Sequence, residues 1–121
     1  MKLFRFDREG AHHVTRFDSD FRHQFLSITD TGARISVVYF GPGEHVGRHE
    51  TQTDQLFAVV LGEGWVEADG KREAIDSGIA AFWVRGESHA AATEHGMTAI
   101  VVEGTDLHPE RVMREVDAAA E

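Results

Sequence analysis

Two histidines, a glutamine and a threonine stand at spacings that could turn them toward one point. His49, Thr51 and Gln55 lie between two glycines as Gly43-x5-His49-x-Thr51-x3-Gln55-x6-Gly62, and sixteen residues later comes Gly78-x5-Val84-x-Gly86-x2-His89. Neutral imidazole is a good ligand for Zn²⁺, Cu²⁺, Ni²⁺ and Fe²⁺. Gln55 can add an amide oxygen, which is neutral and weaker than a carboxylate, and Thr51 ligates poorly unless deprotonated. Such a set leaves the full charge of a divalent ion uncompensated. It therefore wants an anion, either hydroxide or a carboxylate-bearing ligand. The same residues also support a metal-free reading, in which His49 and His89 are buried histidines hydrogen-bonded by Thr51 and Gln55. At the level of sequence both readings stay open.

Strands would have to position these groups, and successive strand side chains alternate between faces. His49, Thr51, Gln55, Phe57, Val59 and Leu61 share odd parity, and Glu50, Gln52 and Asp54 fall on the opposite face. His89, Ala91 and Thr93 share a face in the same way. This places His49, Gln55 and His89 as metal-ligand candidates, with Thr51, Phe57 and Thr93 as contacts for a bound small molecule. A loop or bulge within 49–54 would reset the parity. Glu44, His45, Glu94 and His95 lie near the motif ends as recruits, His45 at the rim and His95 in a solvent-facing turn. The tandem His12-His13 reads as surface, and His23 and His108 carry no motif. Phe40, Phe57, Phe82, Trp65 and Trp83 read as core or barrel wall. Glu63 and Glu67 share a face with Trp65 and read as a solvated hairpin edge. Ser36, Ser77 and Ser88 have no nucleophile-elbow context, and no phosphate-cradling loop precedes a helix.

Turn signals recur at short intervals, among them Gly41-Pro42-Gly43, Gly62-Glu63-Gly64, Asp69-Gly70, Ser77-Gly78 and His95-Gly96. Between them lie stretches rich in Val, Ile, Phe and Trp, a rhythm of all-β architecture. Strands are predicted near 33–40, 54–61, 64–68, 71–75, 79–84, 88–94 and 97–103, with a tight hairpin at Gly62-Glu63-Gly64. Phe17, Phe21 and Phe25 would share a face in a helix or in a strand, so periodicity leaves the first 28 residues undecided. Pro109 suits the first turn of a short helix bearing Val112, Met113 and Val116 on one side.

The paired glycine and histidine spacings resemble the two motifs of the cupin superfamily, G-x5-H-x-H-x3/4-E-x6-G and G-x5-P-x-G-x2-H-x3-N. The glycines and the first and last histidines match. The second His is Thr51, the Glu is Gln55, the Pro is Val84 and the Asn is Thr93. The resemblance implies a small cupin of the cupin 2 conserved-barrel type, an all-β double-stranded β-helix (jelly-roll) barrel. It implies one domain over 1–121, with a barrel core of about 33–104, an N-terminal strand extension 1–28 laid on the barrel or a partner subunit, and a tail 105–121. The function expected is small-molecule binding at a reduced, metal-capable site taking Zn, Ni, Fe or Mn, with no organic cofactor. The alternatives are a metal-dependent oxygenase, isomerase or decarboxylase, and a barrel that serves only structure or interaction. A homodimer is the expected assembly.

Composition narrows the partners. Twelve Lys and Arg against twenty-one Asp and Glu give a net charge of −9, which argues against a nucleic-acid backbone as partner. With no cysteine, disulfides, thiolate ligands and thiol nucleophiles are excluded. The apolar runs are too short for a membrane helix of about 20 residues, and the first residues lack a signal-peptide core, so a cytoplasmic location is expected.

Overall fold

The computed structural model describes residues 1–116. Within them the chain forms β1 (His12–Val14), β2 (Phe21–Ile28), β3 (Arg34–Phe40), β4 (His45–Glu50), β5 (Asp54–Ala68), β6 (Lys71–Asp76), β7 (Ala80–Trp83), β8 (Ser88–Ala92) and β9 (Met97–Gly104). Every pairing is antiparallel, and the main path runs β1-β2-β3-β9-β5-β8-β4 with β6 and β7 also on β5. This curled sheet is the all-β jelly roll expected, and no helix among the described residues is long and apolar enough to cross a membrane.

The long β5 organises the rest. Its first half pairs with β9 and β7, and its second half with β6 and β8. The change of partners occurs at Gly62, whose φ of 84° bends the strand without ending it. The tight hairpin predicted at Gly62-Glu63-Gly64 is therefore corrected to a kink inside one strand. A Cβ on Gly62 would overlap the Gly96 carbonyl, and one on Gly64 the Ala92 carbonyl, so these glycines permit close strand approach. The two-residue hairpin lies further on at Asp69-Gly70, where φ values of 49° and 84° suit a type I′ turn.

Inward side chains make the core: Phe21, Val38, Phe40, Phe57, Val59, Val66, Ile75, Trp83, Ala91, Met97, Ala99 and Val101. Glu67, expected on a solvated edge, is instead 5% exposed. It is held by Arg48 at 2.6 Å and Arg72 at 3.7 Å, and Arg72 also covers the Trp65 ring at 3.6 Å. The pairing explains the burial, because a lone carboxylate could not remain there charged. Towards the C-terminus the expected helix reduces to a 3-10 turn at Pro109–Arg111, with Val112 and Met113 exposed. One turn buries too little to propagate a helix. The tail beyond residue 116 lies outside the described residues.

Two glycines separate strain from clash. Gly70→Ala, with φ of 84° but open space around it, is expected to cost about 1 kcal/mol. Gly62→Ala meets both strain and backbone, and should cost at least about 2 kcal/mol more. Urea unfolding of the two variants measures the difference.

Candidate functional site

The two histidines meet across a strand pair. His49 on β4 is directly opposite His89 on β8, with ring centroids 4.3 Å apart and planes inclined by 55°. The parity argument placed His49 on the same strand as Gln55, and this is corrected: residues 51–53 leave the sheet and separate β4 from β5. His49 still faces inward because the β4–β8 register shifts between Val46 and His49. That bulge turns His49 toward the cavity that His89 also lines.

The cavity has a volume of about 440 Å³, within the range of small-molecule pockets. His49, Gln55, Phe57 and His89 all line it, together with Trp83 and Phe40. Thr51 and Thr93 do not. Thr51 Oγ1 donates to the Val84 carbonyl and accepts from the Gly86 N–H, at 2.9 and 3.0 Å. Thr93 Oγ1 donates to the Glu63 carbonyl and accepts from the Gly96 N–H, at 2.6 and 2.9 Å. Both hydroxyls are committed to turns at the barrel ends, so these residues are corrected from ligand contacts to turn fasteners.

The recruits sort in the same way. Glu44 accepts from Arg8 and from the Gly41 N–H, His45 Nε2 donates to the Asp18 carbonyl at 2.6 Å, and His95 faces Glu63 at the exposed surface. Glu94 is exposed as well. His12 and His13, read as surface, both border the cavity mouth, and His23 lines it.

Three contributors were missed. Glu103 on β9 lines the cavity and is paired in register with Gln55. Its parity with buried Ala99 and Val101 was the available signal. His23 shares its face with Phe21 and Phe25 in β2, again readable by alternation once β2 is a strand. Phe17 had no such signal. It lies in a 3-10 turn, Arg16–Asp18, where Phe17 and Asp18 both have φ of 56°, a left-handed conformation uncommon outside glycine. Its ring stacks on His49 at 4.2 Å and 2°. Gly47 admits this strap, since a Cβ there would overlap the Phe17 carbonyl.

Protonation is set by desolvation. Burial pushes His89 down to about 4, and the charge of His49 pushes in the same direction. His23 is also lowered, by burial and then by His12. Burial raises the Glu103 carboxyl, while Arg34 and His49 pull it partly back.

Donor chemistry fits a divalent transition metal in part. His49 Nδ1 donates to the Gly47 carbonyl at 2.8 Å, which leaves Nε2 with its lone pair in the neutral ring. His89 Nδ1 is buried and has no hydrogen-bond partner among the described residues, a state that calls for a missing partner. No three His, Cys, Asp or Glu side chains among the described residues are gathered closely enough to hold an ion. Two imidazoles and the Gln55 amide are thus the donors at hand.

Comparison with solved structures places this architecture. A cupin 2 conserved barrel domain protein from Salinispora arenicola superposes with a TM-score of 0.68 at 20% identity, covering 84% of this chain and 87% of its own. The chain has the cupin fold. A cupin-like protein from Thermotoga maritima gives a TM-score of 0.71 at 20% identity, over 85% of this chain and 81% of that one. A DMSP lyase from Ruegeria pomeroyi is similar over 88% of this chain, with a TM-score of 0.64 and 23% identity, although the match spans 57% of the lyase. No protein-family profile and no curated protein sequence matches the chain. These cavity residues therefore sit on a fold shared with an enzyme, and fold alone does not carry the chemistry across.

The His89 shift has a thermodynamic consequence. Folding keeps His89 neutral down to about pH 4, whereas an unfolded histidine takes up its proton near pH 6.5. Between those values the unfolded chain binds more protons, so stability falls as pH drops through that window. The loss should reach about 3 kcal/mol. Denaturant unfolding at pH 7 and pH 4.5, in chelator, should show a smaller pH dependence for His89→Leu than for wild type.

Proposed function

We propose that this cupin binds a small molecule in its barrel at a reduced metal site, with His49, His89 and Gln55 holding a divalent transition metal such as Zn, Ni, Fe or Mn. The observation that carries the reading is the buried, unpartnered Nδ1 of His89 beside His49 in a 440 Å³ cavity. A buried imidazole without a partner costs stability unless something in the cavity engages the ring. The bound ion would act as a Lewis acid and as a template for an oxygen-bearing ligand. A small carboxylate-bearing molecule suits it, since imidazole and amide donors are neutral. Phe57 and Trp83 would give that ligand apolar walls, and Phe17 would limit access from the mouth.

An enzyme of the oxygenase, isomerase or decarboxylase type is the second reading, favoured by the likeness to a lyase. It places the same two histidines on the ion and leaves Glu103 as a candidate proton carrier, its carboxyl raised by burial.

Metal analysis of untagged protein tests the reading. About one zinc, nickel, iron or manganese per chain is expected after supplementation, and it should be lost in both His49→Ala and His89→Ala. Wild type that stays metal-free would leave only a histidine-lined pocket or a structural barrel.

We further propose that the protein works as a cytoplasmic homodimer. Leu26, Ile28, Val60 and Leu61 are between 41 and 68% exposed, apolar surface that a second copy would cover. Light scattering after size exclusion should give twice the 13.4 kDa chain mass, and a monomer at micromolar concentration would refute the dimer.

A further inference from the structure

We infer that Glu103 is the anionic member of this site, supplying to a divalent cation at His49 and His89 the charge that Gln55 lacks. The inference rests on the metal-binding reading above and revises one part of it: the anion is already in the protein and need not arrive with the ligand.

Register carries the argument. Gln55 on β5 and Glu103 on β9 are direct partners in an antiparallel ladder. Such residues leave the sheet on the same face, with Cβ atoms about 4.5–5.5 Å apart. Both line the cavity that holds His49 and His89. A carboxylate one strand away from Gln55 thus faces the space that a carboxylate at position 55 would face. The neighbour on its other side is Arg34, an exposed residue in register with Glu103 on β3. Among the described residues Glu103 makes no ion pair with it or with any other cation. A half-buried acid with no paired base, in a cavity of histidines, is an arrangement that a cation completes.

Charge decides why this matters. Histidine and amide donors leave a divalent ion with its whole charge in a cavity walled by Phe40, Phe57 and Trp83. One carboxylate halves that charge where water screens it least. As placed, Glu103 is not gathered with His49 and His89 closely enough to hold an ion, so it would act after a side-chain rotation or through one bridging water.

Zinc alone serves as the probe, its affinity read by competition with a chromophoric chelator on the full chain. Glu103→Gln keeps shape and removes charge, and it should weaken zinc binding by about 10- to 100-fold. The transposed double variant Gln55→Glu, Glu103→Gln should recover most of that loss. Unchanged affinity in Glu103→Gln, with zinc still lost in His49→Ala and His89→Ala, sinks the role of Glu103 and leaves the metal site standing. Absence of zinc binding in wild type overturns both. Wild type alone provides a check that survives misfolding of any variant. Acetate at constant ionic strength, corrected for its own weak zinc binding, should leave zinc affinity unchanged. A strong rise would show a site that takes its anion from solution and would overturn the inference.

Discussion

One bent strand holds this barrel together. The left-handed turn at Gly62 lets β5 run through fifteen residues while changing its partners from β9 and β7 to β6 and β8. Without that bend the two walls would belong to separate hairpins with nothing to fix their separation. The cavity exists because they are held apart and yet joined. Gly64 serves the same end, giving the backbone of β8 room to pass close by.

The candidate site is continuous with the core. Ring contacts run from Phe21 to Phe40, Phe57, Trp83, His89, His49 and Phe17, with successive centroids 4.2 to 6.1 Å apart. Packing of this kind fixes side-chain direction at low entropic cost. The histidines are therefore oriented by apolar neighbours and by a single backbone carbonyl, not by a web of acids. That arrangement gives precise placement while keeping His89 uncharged over the physiological range. On the opposite wall β9 brings the Glu103 carboxyl into the same cavity, beside Gln55.

Much of this was readable in the chain. Glycine spacing and histidine position pointed to the fold, and alternation placed Gln55 and Phe57 on the cavity wall beside His49 and His89. Thr51 and Thr93 were misread because parity gives a face but not a partner, and each hydroxyl finds backbone groups closer than the cavity. The continuity of β5 was hidden because a glycine with positive φ looks the same in a hairpin and in a kink. Glu103 went unnoticed for a different reason: it lies outside both motifs, and its relation to Gln55 comes from pairing between strands distant in sequence. Phe17 depends on two strained residues and on the absence of a side chain at Gly47, none of which leaves a periodic trace.

The chain of rings has an optical consequence. Of the two tryptophans, Trp65 lies under Arg72 on the outside, while Trp83 is 2% exposed and sits 4.6 Å from the His89 ring. Its indole N–H is fastened to the Glu67 carbonyl at 3.1 Å, which anchors the ring in the cavity wall. Any change at His89 thus happens beside an anchored chromophore buried from solvent quenchers. The barrel has an internal lamp, and the brightness of one indole reports the state of the site without a label.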